Sequence, residues 1–236
     1  MPTATHTPHR PAPGTIHLWV FDISPQAGLL TALSDADQAR AASFIHPQDQ
    51  QRYARSRAAL RWVLAYQTGA SPLGLPLWVD DMGKPHLPDD MGCPFNLSHG
   101  GDVAVVAIGS HQPVGVDVEP WSQQAGMLDL IDQFMSPSEQ GQLKDLPSTP
   151  QATACCLRAW TRKEAVLKAL GCGLSIDARR VEAGLAAAPA LWSAKEIRPG
   201  HHVSVQTIEI PEGMVAVAEV HEGPHAAAPQ VLIRRP

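Results

Sequence analysis

The chain of 236 residues has few cysteines and lacks long apolar runs, and each scarcity excludes a class of protein. Its 4 cysteines contain no C-x-x-C pair, which argues against a disulfide framework and against a zinc ribbon. No run of about 18 apolar residues occurs, so no membrane span is expected. There is also no excess of positive charge. The net charge of −5 disfavours a general binder of nucleic acid or of membrane surfaces.

What the chain does contain is typical of a globular, cytoplasmic protein. It is 44% hydrophobic and 17% charged, and it is long enough for one large domain or two small ones. Residues 1–14 are rich in Pro, Thr and His without the apolar core of a signal peptide, so we expect a flexible arm. Residues 224–236 are expected to form a loose tail. The cysteines are interpreted as small buried side chains in a reducing compartment.

Hydrophobic periodicity predicts strands and helices in an order that repeats. Strand patterns occupy 16–23, 102–109, 114–120, 202–210 and 214–220, and helical patterns occupy 33–45, 48–69 and 152–171. A further helix is predicted to start at Ser136, which forms a capping box with Glu139. Strands 102–109 and 114–120 are separated by a short turn, which predicts a hairpin. Residues 70–98 are predicted to be mostly loop. The repeated order suggests two similar halves, 15–118 and 119–223, that meet at Asp117 and Glu119.

Two acids stand out in the strand "VGVDVEP" at 114–120. Side chains alternate faces along a strand, so three valines share one face while Asp117 and Glu119 share the other. Like charges this close repel unless a cation lies between them, and a few carboxylates are typical of a Mg²⁺ site. A solvated polar face at a strand end explains the same pattern.

The helical segment "WTRKEAVLK" supplies a third acid and a lysine. Trp160, Glu164 and Lys168 lie four residues apart, on one side of the helix. A Glu–Lys pair at this spacing is also an ordinary surface pair worth about 0.3–0.5 kcal/mol. The tryptophan indicates that this side is at least partly covered, which favours a site.

Three further segments offer contacts to phosphate. The segment "NLSHGGD" places Ser98 and His99 in a predicted Gly-rich turn, and "GKP" places Lys84 between Gly and Pro. A group of arginines provides forked donors to phosphate. For Arg55 and Arg57 we favour a solvated helix face. Together these residues indicate Mg²⁺-dependent chemistry on a pyrophosphate. The arginine group consists of Arg40, Arg52, Arg55, Arg57 and Arg61.

The segments "GKPHLPDDMGCPFNLSHG", "VGVDVEP", "FMSPSE" and "WTRKEAVLKALGCGL" resemble, in order and spacing, the Sfp-type 4'-phosphopantetheinyl transferases. The resemblance extends over about residues 15–220. It implies an α+β fold of two pseudo-symmetric halves, each a small, mostly antiparallel sheet packed with helices. It also implies a monomer that transfers phosphopantetheine from coenzyme A to a serine of an acyl or peptidyl carrier protein, leaving 3',5'-ADP. Nucleic acid and membranes are not expected among its partners.

The resemblance also implies roles for individual residues. Glu164 and Lys168 are assigned to catalysis, the first as base for the carrier serine and the second at the leaving oxygen. Asp117, Glu119 and Glu164 are assigned to Mg²⁺, for which Mn²⁺ is an alternative. The residues assigned to coenzyme A are Arg40, Arg52, Lys84, Pro85, Ser98, His99, Asp117, Lys163 and Lys168.

The chain departs from the family pattern at two positions. Gly100 stands where the family often has a second serine, and Asp37 stands where it often has another base. Two other functions use the same residues. A Mg²⁺-dependent phosphodiesterase or pyrophosphatase would cleave coenzyme A without a carrier, and a non-catalytic module would bind coenzyme A or a carrier without turnover.

Overall fold

A computed structural model describes residues 9–25, 32–146, 149–223 and 227–236. Its helices are α1 (Asp35–Ala42), α2 (Pro47–Thr68), α3 (Ile131–Phe134), α4 (Pro137–Lys144) and α5 (Thr149–Leu170). Its strands are β1 (Thr15–Asp22), β2 (Trp78–Val79), β3 (Pro85–His86), β4 (Phe95–Gly100), β5 (Val103–Ile108), β6 (Val114–Pro120), β7 (Ala190–Ser193), β8 (His201–Ile210), β9 (Gly213–Glu222) and β10 (Gln230–Arg234). Short 3₁₀ segments include Trp121–Leu130 and Ala178–Arg180.

Two four-stranded sheets stack face to face, and a long helix covers the outer face of each. The strand orders are β10-β1-β5-β4 and β6-β9-β8-β7, and the pairing of β1 with β10 is the parallel one. Apolar side chains of β1, β5, β6, β8 and β9 fill the space between the sheets. Helix α2 packs on the first sheet and α5 on the second. The predicted α+β class, with small and mostly antiparallel sheets packed with helices, is confirmed.

Three predicted helix ends are confirmed by their caps, whereas α1 ends at Ala42, before the predicted end at 45. Ser34 accepts a hydrogen bond from the Asp37 backbone N–H at the start of α1. Ser136 and Glu139 form the complete capping box of α4. Gly69 ends α2 with a φ of 76°, a left-handed conformation that glycine adopts without strain. None of the described helices has the length and apolarity of a bilayer span.

The predicted hairpin of β5 and β6 is wrong. Strand β5 pairs with β1 and β4, while β6 pairs with β9 in the other sheet. The short connection therefore crosses from one sheet to the other instead of reversing within one. All six residues of β5 are buried, so this strand needs a covering layer on both faces. Alternation identifies strand faces, but it does not identify the neighbouring strand.

Two further expectations differ from the structure. Residues 95–100 were predicted as loop and turn, yet they form β4, so Ser98 and His99 lie on a strand beside β5. The expected loose tail contains β10, which pairs with β1 from Thr15 opposite Gln230 onward. Strand β10 satisfies backbone groups of β1 on the edge away from β5.

Residues 1–8 of the predicted arm and 224–226 of the tail lie outside the described residues. The division into halves at 118 stays a prediction.

Candidate active site between β6 and α5

The acids of β6 face helix α5. Val114, Val116 and Val118 point into the core between the sheets, so the intervening residues point the other way. At Gly115 the helix backbone is so close that an added Cβ would lie 2.0 Å from the Ala165 carbonyl oxygen. This close approach brings the next two residues on the same face, Asp117 and Glu119, against the side of α5.

Asp117 is the most enclosed of the acids, with 4% of its surface exposed. Its Oδ1 accepts hydrogen bonds from Lys168 Nζ at 2.6 Å and from Ser98 Oγ at 2.9 Å. Its Oδ2 is buried without a hydrogen-bond partner. Because Ser98 lies on β4, Asp117 joins both sheets and α5 at one point.

Glu119 and Glu164 lie beside this centre. Trp160 Nε1 donates to Glu119 Oε1 at 2.7 Å, and Glu164 Oε1 is buried without a partner. Burial and then the charge of Asp117 raise the pKa of Glu119 to about 7, although the indole hydrogen bond opposes them. Burial also raises the pKa of Glu164, with Lys168 opposing the change. The predicted side of the helix, formed by Trp160, Glu164 and Lys168, does face the acids of β6.

The donor set fits a cation that arrives together with other ligands. Among the described residues, no group of three or more His, Cys, Asp or Glu side chains is arranged as a metal site. Lys168 neutralises one oxygen of Asp117, while Asp117 Oδ2 and Glu164 Oε1 lack partners. Buried oxygens without donors are costly, and a hard cation relieves that cost. Mg²⁺ typically combines a few carboxylates with waters and substrate phosphates, so these residues fit it.

A cavity of about 560 Å³ lies where α1, α2 and β4 meet. Arg40, Pro85 and His99, which the resemblance assigns to coenzyme A, contribute to its walls together with Trp78. Desolvation and then the charges of Lys168 and Arg52 lower the pKa of His99, so its ring is neutral at pH 7. The cavity thus places cationic and aromatic side chains on the side of the site that adjoins Lys168.

Arg52 lies near His99 and is only partly neutralised. Its nearest carboxylate is that of Asp102, at 3.8 Å, and its Nε is buried without a hydrogen-bond partner. It therefore retains donors for an anion bound beside His99.

Two of the lysines assigned to coenzyme A lie elsewhere. Lys84 Nζ donates to the Lys168 carbonyl oxygen at 2.8 Å and borders a different cavity. Lys163 is fully buried, with its ammonium 2.7 Å from Glu139 Oε2. The ammonium of Lys163 is surrounded by protein acceptors, whereas that of Lys84 gives one hydrogen bond to a backbone carbonyl.

Sequence reasoning missed a buried ion cluster in the wall of the cavity of about 560 Å³. Asp37 accepts from Arg57 Nε at 2.9 Å and from Arg61 Nε at 2.5 Å. The expectation of a solvated Arg57 is wrong, since 5% of its surface is exposed, and Arg55 donates to the Ile23 carbonyl oxygen. The sequence did contain a signal for this cluster. Asp37 is an acid where the family often has a base, and Arg57 and Arg61, four residues apart, could pair with it.

Comparison with known proteins identifies the family. Residues 113–192 match the model of the 4'-phosphopantetheinyl transferase superfamily. The 4'-phosphopantetheinyl transferase HetI of Nostoc sp. is 32% identical over 199 residues, which cover 78% of this chain and 83% of that protein. A putative 4'-phosphopantetheinyl transferase of Synechocystis sp. is 35% identical over 150 residues, covering 63% and 61%. The 4'-phosphopantetheinyl transferase of Bacillus subtilis is 30% identical over 148 residues, covering 63% and 64%.

The matched family region contains β6 and α5, and hence Asp117, Glu119, Glu164 and Lys168. The similarity to the Nostoc protein extends over most of both chains. The resemblance found in the sequence is thereby confirmed, and the chain belongs to the 4'-phosphopantetheinyl transferase superfamily.

Proposed function

We propose that the protein transfers the 4'-phosphopantetheine group of coenzyme A to a serine of an acyl or peptidyl carrier protein. The observation that carries this proposal is the meeting of Asp117, Glu164 and Lys168 between β6 and α5, next to an arginine-lined cavity. Family membership supplies the reaction class. The products are the holo carrier protein and 3',5'-ADP.

In this reaction the serine oxygen bonds to the phosphorus that carries pantetheine, and the P–O bond to the nucleotide phosphate breaks. Glu164 takes the serine proton, because its raised pKa and its partnerless Oε1 suit a general base. Lys168 stabilises the charge that develops on the leaving oxygen of 3',5'-ADP. Its ammonium already lies 2.6 Å from Asp117 Oδ1, so it is held in place before substrate binds.

Asp117, Glu119 and Glu164 are proposed to hold Mg²⁺, or Mn²⁺ in its place. The ion would neutralise charge on the pyrophosphate during transfer. The partnerless oxygens of Asp117 and Glu164 support this assignment.

Coenzyme A is proposed to bind with its nucleotide in the cavity that Arg40, Pro85 and His99 border, with Ser98 and Arg52 at its edge. Lys84 remains a predicted contact: its ammonium gives one hydrogen bond to the Lys168 carbonyl oxygen and has two further donors that can bind a phosphate.

We also propose that the enzyme works as a cytoplasmic monomer that meets its carrier proteins transiently. Its four cysteines are free, which fits a reducing compartment.

The test is mass spectrometry of several apo carrier domains after incubation with the protein, coenzyme A and Mg²⁺. A gain of about 340 Da on the carrier serine is the expected result of the transfer. No gain on any carrier would contradict the proposal. Release of 3',5'-ADP when the carrier is omitted would instead identify a phosphodiesterase.

The residue-level test is Glu164→Gln, which keeps the size of the side chain and removes its charge. Turnover should fall by roughly 100-fold or more if Glu164 is the base or a metal ligand. Glu222→Gln on β9, at an exposed position, is the matched control and should behave like the parent enzyme. Near-parent turnover of Glu164→Gln would remove this residue from the chemistry.

A further inference from the structure

Two consecutive cations of α5, Arg162 and Lys163, are fully buried and bind backbone carbonyl groups. Arg162 donates to the carbonyl oxygens of Ala183, Gly184 and Ala188. A charged side chain in a protein interior is costly unless acceptors surround it, so its presence there indicates a structural task.

Lys163 ties three elements together. Its ammonium donates to the carbonyl oxygens of Ala178, at 3.1 Å, and Val181, and pairs with Glu139 Oε2 at 2.7 Å. The same Glu139 oxygen accepts from the Ser136 backbone N–H at 2.9 Å, as part of the capping box of α4. The three donors of an ammonium thus have three acceptors, which leaves none for a phosphate.

A second hydrogen bond links the start of α4 to the same segment. Ser136 Oγ donates to Glu182 Oε1 at 2.7 Å, so the N-terminus of α4 also holds the segment that carries Val181. We call Ser136, Glu139, Lys163 and Glu182 the lysine clamp.

The clamped segment forms a wall of an apolar cavity of about 510 Å³ that opens beside Glu119. Ile176 and Ala178 line one side of it, and Phe134 and Trp160 line another. The Trp160 ring packs edge-on against Phe134 at 5.3 Å, and its N–H holds Glu119. The position of residues 176–182 therefore sets the shape of the cavity next to the acids.

We propose that Lys163 is a positioning residue, which holds the 176–182 segment as the wall of the cavity beside Glu119 and makes no contact with coenzyme A. This inference rests on the proposed function. The nucleotide is proposed to bind in the cavity bordered by Arg40 and His99, so the separate cavity beside Glu119 is left for the pantetheine arm and the carrier serine. Loss of the lysine clamp should therefore lower kcat/KM for the carrier and leave the affinity for the nucleotide unchanged.

The experiment compares Lys163→Met with Lys168→Met, a matched change five residues further along α5. For Lys163→Met we expect a Tm lower by about 10 °C, because an unpaired Glu139 is left buried. The Kd of 3',5'-ADP, measured calorimetrically, should stay within about twofold, while kcat/KM for the carrier at 15 °C falls about tenfold or more. Lys168→Met also leaves a buried acid, Asp117, without its ammonium, so its Tm should fall as well. The two variants are separated by the Kd of 3',5'-ADP, which only Lys168→Met should weaken, because Lys168 is proposed to contact the leaving phosphate.

Glu139→Gln gives an independent arm that touches no ligand and retains an acceptor for the Ser136 N–H. It should reproduce the lower Tm and the lower kcat/KM, and the double variant with Lys163→Met should lose less than the sum of the two Tm changes. The proposal is overturned if Lys163→Met binds 3',5'-ADP about tenfold more weakly, or if Lys163→Met or Glu139→Gln keeps the parent kcat/KM for the carrier, whatever its Tm. The Tm coupling needs no transferase activity, so failure of the proposed function would be recognised separately.

Discussion

The hydrogen bond from Trp160 to Glu119 makes a sharp prediction about the pH dependence of the reaction. Trp160→Phe retains an aromatic ring against Phe134 and removes the indole N–H that lies 2.7 Å from Glu119 Oε1. This bond favours the ionised carboxylate and opposes burial and the charge of Asp117, which together raise the pKa to about 7. Its loss must therefore raise the pKa of Glu119 further.

The size of the shift follows from the strength of the bond. A hydrogen bond to a charged group contributes about 1.5–3 kcal/mol, and one pKa unit corresponds to about 1.4 kcal/mol. Glu119 is partly exposed, so water replaces some of the lost interaction, and a shift of about 1 unit is expected. The ionised fraction at pH 7 would then fall from about one half to about one tenth. If ionised Glu119 is needed for Mg²⁺, turnover at pH 7 should drop about fivefold and recover near pH 9.

The assay is kcat/KM for an apo carrier from pH 6 to 9 at a fixed Mg²⁺ concentration. Binding of Mn²⁺, followed by electron paramagnetic resonance over the same range, gives a readout that does not depend on turnover. Trp192→Phe on β7, which borders a cavity away from the acids, is the control. The reasoning is refuted if the acidic limb of the Trp160→Phe profile coincides with that of the parent and of the control.

Two other substitutions test the fold that supports the site. Burial raises the pKa of Glu219 to about 7 from 4.5, so the stability that this group contributes is present below pH 4.5 and is lost as pH rises through 7. Glu219→Gln should match the parent at pH 4.5 and exceed it by up to about 3 kcal/mol at pH 8, and an equal difference at both values in urea unfolding would contradict this. Gly115→Ala should cost about 3 kcal/mol or more and lower turnover, because its Cβ would lie 2.0 Å from the Ala165 carbonyl oxygen. Gly126→Ala, where an added Cβ meets nothing within 4 Å, should show neither effect.

The two main elements of the candidate site could be predicted because the periodicity of a sequence indicates which way its side chains point. The alternation in "VGVDVEP" separated the core valines from Asp117 and Glu119, and the spacing of four placed Trp160, Glu164 and Lys168 on one side of a helix. Both directions hold in the structure, where the two faces meet. One prediction concerns a strand and the other a helix. Trp160 indicated that its side of the helix is covered by protein, and in the structure the acid face of β6 provides that cover.

The unpredicted features depend on partners far along the chain. Nothing in β5 or β6 alone distinguishes a hairpin from two stacked strands, since the pairing of β6 depends on β9, about 100 residues later. The environment of Arg57 depends on Asp37, and that of Lys163 depends on Glu139 and on carbonyl groups of the 178–181 segment. Each of these cations has the sequence context of a surface residue. Its burial is decided by an acceptor on another element.

The contrast between Lys163 and Glu164 shows how α5 serves both the core and the chemistry. Successive helical residues are about 100° apart, so the four residues from Thr161 to Glu164 point in directions that together encircle the helix. Thr161, Arg162 and Lys163 are fully buried, whereas Glu164 is partly exposed. Three directions are thus closed by protein and the fourth opens toward the acids of β6. A lysine and a glutamate adjacent in the motif are therefore proposed to have separate tasks, and the residues at spacings of four from Glu164 mark the side of the helix where we propose that the reaction takes place.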